Sequence, residues 1–67
     1  MKTGIFDIYG TEITVGDTIS YIDTEHEIYN ENGTVRYNEI SDTFEVINND
    51  IQSGNNLSSV TNIQIWQ

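Results

Sequence analysis

The sequence predicts an all-β chain: a small barrel, or a strongly bent antiparallel sheet, of five to six short strands. Three observations predict it. Eleven Ile, four Val, eight Thr, four Tyr, two Phe and one Trp are spread over 67 residues, and β-branched and aromatic side chains suit a pleated, half-buried surface. Helix formers are scarce, with no Ala, one Leu and one Met. Gly10, Gly16, Gly33 and Gly54, several with Asn or Asp beside them, cut the apolar runs into short pieces. The length allows one domain, residues 1–67. With no Cys, neither disulfides nor thiolate-bound metals can staple it, so stability rests on core packing or self-association.

Gly4-Ile5-Phe6-Asp7-Ile8-Tyr9 reads as a first short strand or extended arm, and Tyr9-Gly10-Thr11-Glu12 as a turn. Ile13 and Val15 stand two apart, the period of a half-buried strand, and Gly16-Asp17 is a second turn. Thr18 to Asn30 is the longest strand candidate. Ile19 and Tyr21 share one face while Ile22, Thr24, His26 and Ile28 share the other, so a bulge or sharp bend is expected near Tyr21-Ile22. Asp23 to Glu31 is the most hydrophilic part, an exposed hairpin extension or loop.

Asn32-Gly33 reads as a turn into the clearest hairpin, Thr34–Tyr37 with Thr43–Ile47. Its register follows from matching faces: Val35 opposite Val46, Tyr37 opposite Phe44, and a four-residue loop, Glu39 to Asp42. That register sets Arg36 opposite Glu45, a pair contributing about 0.2–1 kcal/mol, and a one-residue slip would lose both patterns. Asn48 to Asn56 reads as a loop anchored by Ile51, with room for one helical turn. Leu57 to Trp66 is the last strand, Ile63 and Ile65 alternating with Gln64 and Trp66.

Eleven Asp and Glu against Lys2 and Arg36 give a net charge of -9. Nucleic-acid binding needs cations to neutralise phosphates, so direct contact with DNA, RNA or an anionic membrane is not expected. A protein with a basic surface is the partner such a charge attracts; the structural alternative is that the charge only keeps a small sheet protein soluble. No apolar run approaches the roughly 20 residues of a membrane span, and Met1-Lys2-Thr3-Gly4 leads into Asp7 too soon for a secretory signal. A cytoplasmic location fits the absence of Cys.

No catalytic group, cofactor or metal site is expected. His26, the single histidine, stands between Glu25 and Glu27 and could serve as a metal ligand or general base. In an extended strand, however, it would face away from both, leaving an incidental surface residue. A calcium loop built on Gly33 as its sixth position would place Ile28 first, where an oxygen ligand is required. No Gly-rich phosphate loop and no nucleophile elbow occur. Tyr9, Tyr21, Tyr29, Tyr37 and Trp66 could form a peptide-gripping face, but in so small a domain they read first as core residues with polar tips.

The stretch Asp7-Ile8-Tyr9-Gly10-Thr11-Glu12-Ile13-Thr14-Val15-Gly16-Asp17-Thr18-Ile19 resembles the D-x-x-G-x-E-I-x-x-G-D-x-I opening of YopX-like proteins, small proteins of phages, prophages and related mobile elements. Gly33-Thr34-Val35-Arg36-Tyr37 and Phe44 also fit that family's strands, so the likeness covers about the first 47 residues. The C-terminal Thr61–Gln67 departs from the family's Glu-Val-Ile-Gly-Asn type of ending. The resemblance implies an SH3-like β-barrel and a place in a host bacterial cytoplasm, and no catalytic residues. The residues themselves give the motif a structural part: Gly10 and Gly16 for backbone angles closed to other residues, Asp17 as acceptor of a backbone hydrogen bond, and Ile13 and Ile19 in the core.

Two functions follow as expectations. The first is a non-enzymatic protein-interaction module, with Asp23, Glu25, Glu27 and Glu31 as the densest partner-binding residues. The second is a nucleic-acid mimic whose carboxylates occupy the basic cleft of a host nuclease or of a restriction or CRISPR protein. A monomer or weak homodimer is expected, since charge opposes edge-to-edge strand pairing.

Overall fold

The computed structural model describes residues 1–50 and 54–66. Among them are seven strands, β1 (Lys2–Phe6), β2 (Glu12–Thr14), β3 (Thr18–Asp23), β4 (Ile28–Asn38), β5 (Thr43–Asn48), β6 (Gly54–Asn56) and β7 (Thr61–Ile65), with one 3-10 turn at Leu57–Ser59. Strands β6-β5-β4-β3-β7 form one antiparallel sheet, and β1 and β2 form a separate antiparallel pair. The chain is therefore all-β. Strands β6 and β7 are left as sheet edges, which makes it the bent sheet and not the closed barrel. Ile51, the expected loop anchor, lies outside the described residues. Of the expected Asn48 to Asn56 loop, Asn48 instead completes β5 and Gly54–Asn56 form β6.

The β4–β5 hairpin has the expected register: Val35 faces Val46, Arg36 faces Glu45 and Tyr37 faces Phe44, with residues 39–42 as the loop. The Tyr37 and Phe44 rings lie 5.4 Å apart, centre to centre, a separation at which tilted rings attract. Arg36 Nε donates to Glu45 Oε1 at 2.9 Å, and the guanidinium holds that carboxyl below its ordinary pKa. At the loop, the Tyr37 hydroxyl donates to Asp42 Oδ1.

The expected bend near Tyr21-Ile22 is present, but its cause differs from the one the sequence suggested. Strand β3 keeps strict alternation, with Ile19, Tyr21 and Asp23 buried. The extra residues lie in its neighbours. Tyr21 pairs with Glu31 and Ile22 with Tyr29, so Asn30 is inserted in β4. On the other side Ser20 pairs with Gln64 and Ile22 with Thr61, so β7 sets Asn62 and Ile63 against Tyr21 alone. Asn30 has φ 56° and Asn62 φ 52°, left-handed angles that asparagine tolerates better than most residues. Two bulges at one level of β3 bend the sheet sharply. Thr24 to Glu27 is a turn, and Ile28 reaches the core by opening β4.

Asn32-Gly33, expected as a turn, lies inside β4. Glycine is needed there for close approach. A Cβ on Gly33 would stand 2.5 Å from Val46 Cγ2, 2.8 Å from Tyr21 Cε1 and 2.9 Å from the Ile47 carbonyl oxygen. The core around it joins Ile13, Ile19, Tyr21, Ile28, Val35, Val46, Leu57, Val60 and Ile63. Residues Leu57–Ser59 form a 3-10 turn instead of strand; Asn56 Oδ1 caps it by accepting from Ser58 N at 3.0 Å, and Leu57 is buried.

The two aspartates of the N-terminal motif fasten the β1–β2 pair to the sheet. Asp7 Oδ1 accepts from Tyr9 N and Thr11 N, both at 2.9 Å, and Oδ2 accepts from Ile65 N at 3.4 Å. Ile8 N donates to the Ile63 carbonyl at 2.9 Å beside it, which covers the outer edge of β7. Asp17 Oδ2 accepts from Thr14 N at 2.8 Å, while Gly16 N and the Asp17 carbonyl bond the backbone of Val35 at 2.8 and 2.9 Å. Gly10 and Gly16 take φ of 83° and 100° as their motif positions require, and Ile13 and Ile19 are buried.

Gly33→Ala is expected to lower stability by about 1–3 kcal/mol through overpacking. Gly54→Ala, whose Cβ would press only on the movable end of Ile47, Cδ1 at 2.6 Å, with the Val46 carbonyl oxygen at an ordinary 3.8 Å, is expected to change it by less than about 1 kcal/mol; urea titration of the two variants distinguishes them. The Thr11 amide above all holds the Asp7 carboxyl below its ordinary pKa, against an opposing push from burial. A carboxyl lowered in the folded state stabilises above its unfolded pKa, about 3.9, and loses that contribution as pH falls through the folded value. Asp7→Asn should therefore flatten the fall in melting temperature below about pH 4, measured by circular dichroism.

Candidate functional site

The strongest concentration of outward charge is the β3–β4 turn, where the sequence placed Asp23, Glu25, Glu27 and Glu31. The structure separates these four. Glu25, Glu27 and Glu31 are exposed, whereas Asp23 is 3% exposed and faces inward. Its position follows from period two: Ile19 and Tyr21 point into the core, and Asp23 is the next residue on that face. Asp23 is thus removed from the outward acidic set.

The buried carboxylate is well supplied with donors. Asn55 Nδ2 donates to Oδ2 at 2.7 Å, His26 Nδ1 lies 2.8 Å from the same oxygen, and Glu25 N donates to Oδ1 at 3.1 Å. Burial by itself pushes the Asp23 carboxyl upward, but the bonds from Asn55 and His26 outweigh it and leave it below its ordinary value. The Asn55 bond also joins edge strand β6 to β3 across β5 and β4. His26 is exposed, as expected, but it is bonded to Asp23 and so is not an incidental surface residue. It sits in a tight turn, not a strand, with Glu27 at φ 56° and Glu27 N donating to the Thr24 carbonyl at 3.4 Å. The turn folds the imidazole back onto Asp23 and away from the alternation of an extended chain.

Glu31 Oε2 accepts from Asn48 Nδ2 at 3.3 Å while remaining exposed. Asn49 N donates to the Asn32 carbonyl at 3.1 Å, which brings the exposed Asp50 to the same end of the sheet. The chain's two basic side chains are engaged elsewhere: Lys2 Nζ is 3.9 Å from Glu12 Oε1, and Arg36 pairs with Glu45. Glu25, Glu27, Glu31 and Asp50 therefore give this end of the sheet exposed carboxylates and neither the Lys nor the Arg of the chain.

The aromatic residues do not form one core group. Tyr21 is buried and its hydroxyl shares a hydrogen bond with Asn48, burial pushing its pKa up. Tyr37 is half-buried against Phe44. Tyr9, Tyr29 and Trp66 are exposed, Tyr29 beside the acidic turn. A shallow groove of about 220 Å³ opens between β1 and β7, with Ile5, Phe6, Ile8, Leu57, Val60 and Ile63 among its walls. Among the described residues no helix is long and apolar enough to cross a membrane.

Comparison with protein-family models, with curated proteins and with solved structures finds no match.

Replacing Asp23 by Ala strips acceptors from three donors at the sheet's inner face. It is expected to cost about 1.5–3 kcal/mol, the range for hydrogen bonds to a charged group. Glu27→Gln, at an exposed position, is expected to stay within about 0.5 kcal/mol of the parent in the same denaturant titration.

Proposed function

We propose that this chain is a non-enzymatic protein-interaction module that engages a partner with a basic surface through the acidic end of the β3–β4 hairpin. The observation that carries this proposal is the segregation of charge. Both bases are answered within the chain, while Glu25, Glu27, Glu31 and Asp50 gather at one end beside the exposed Tyr29. A tyrosine among carboxylates suits an interface that recognises Arg or Lys, because the ring offers a face to the cation and the carboxylates offer hydrogen-bond acceptors. Like charges at one end also steer a basic partner to that end. Mimicry of nucleic acid against a host nuclease or defence protein is a narrower form of the same attraction. With Asp23 turned inward, the outward row is one carboxylate shorter than that idea asks for, so the general form is preferred.

The test is capture from a bacterial lysate on immobilised protein, comparing the parent with the Glu25→Gln, Glu27→Gln, Glu31→Gln triple variant. The expected result is a basic protein retained by the parent at about 50 mM salt, released by about 500 mM as screening shortens, and not retained by the variant. Capture that is insensitive to salt and to the triple substitution would count against the proposal.

A further inference from the structure

We propose that the β3–β4 turn is a binding site for a late first-row divalent cation, Zn²⁺ or Co²⁺, with Asp23, His26 and Glu25 as its protein ligands. One ligand atom from each of the three lies within 4.8 Å of the others. His26 Nδ1 and Asp23 Oδ2 are 2.8 Å apart, whereas two ligand atoms on one tetrahedral ion at about 2.1 Å stand about 3.4 Å apart, so the pair has to open by roughly 0.6 Å to admit the ion. The ion would take the place of the proton between them as the exposed His26 ring moves outward from the buried Asp23. Glu25 is exposed and free to swing the remaining distance, on the order of 1 Å for a metal bond of that length.

Three features set this turn apart from an ordinary group of surface acids. The first is the imidazole, a ligand that selects zinc-like ions over calcium and magnesium. The second is the fixed carboxylate. Asp23 is buried and held by Asn55 from another strand and by the Glu25 amide, the outer-shell support that orients a ligating carboxylate. The third is charge: Asp23, Glu25 and Glu27 crowd one turn, while Lys2 and Arg36 are paired elsewhere. The ligands Asp-x-Glu-His come from one short turn, so neither a partner nor a second domain is needed to complete the site. Glu25 is shared with the partner proposal, whereas Asp23 and His26 are not, so His26→Gln tests the metal site while leaving every carboxylate of the partner proposal in place.

The test is calorimetric titration of chelator-stripped protein with Zn²⁺, Co²⁺ and Ca²⁺. His26→Gln removes the imidazole; Glu39→Gln, in the loop at the opposite end of β4, removes one acid far from the turn. The expected result is one Zn²⁺ per chain, bound more tightly than Ca²⁺, weakened about tenfold or more by His26→Gln and unchanged by Glu39→Gln. Amide spectra of the unmodified protein with Co²⁺ should show broadening centred on Asp23 to Glu27, a readout that needs no variant. No Zn²⁺ binding, Ca²⁺ binding as tight as Zn²⁺, equal affinity in His26→Gln, equal loss in Glu39→Gln, or Co²⁺ broadening centred elsewhere would each overturn the proposal.

Discussion

The rest of the structure depends on an aspartate placed where an apolar residue would be expected. Strand β3 turns Ile19, Tyr21 and Asp23 inward in succession, and a carboxylate taken out of water must be met by donors. Three answer it: Asn55 from β6, the imidazole of His26 and the amide of Glu25. Each fixes something beyond itself. The Asn55 bond ties an edge strand across the inner side of the sheet, and the other two hold the β3–β4 turn in one shape. That turn in turn sends Glu25 and Glu27 outward.

The bend that brings β6 within reach of β3 has an equally local origin. Asn30 and Asn62, on the two strands flanking β3, take left-handed angles at the same level and insert one residue each. Gly33 then lets Tyr21 and Val46 meet across β4 without a side chain between them. The β1–β2 pair caps the open edge of β7 through Asp7, so an edge that could recruit another strand is covered. Stability in this small sheet comes from a compact apolar cluster together with aspartates and asparagines that bond backbone at each turn.

Much of this was legible in the sequence, for identifiable reasons. The β4–β5 register followed from period-two matching, since only one alignment puts Val35 against Val46 and Arg36 against Glu45. The N-terminal motif predicted its glycine angles and its buried Ile13 and Ile19. The candidate site was legible only in part. The acidic stretch is visible, but reading Asp23 as surface charge follows residue type over position, although Ile19 and Tyr21, four and two residues earlier, point inward. A strand through Thr24 to Glu27 would turn His26 away from its neighbours, whereas the turn there folds it onto Asp23. The Asn55 partner is 32 residues from Asp23, and no local pattern announces a contact that only the bend creates. Gly33 reads as punctuation because a glycine in a turn and one under a tight contact look alike in sequence.

The most direct test of this dependence is a double-mutant cycle between Asp23→Ala and Asn55→Ala, read as unfolding free energy in urea. If the Asp23–Asn55 bond joins β6 to β3, the double variant loses less than the sum of the single losses, with a coupling of about 1–3 kcal/mol. Losses that add to within about 0.3–0.5 kcal/mol would mean that the two residues act independently, and would contradict the part assigned to the buried aspartate.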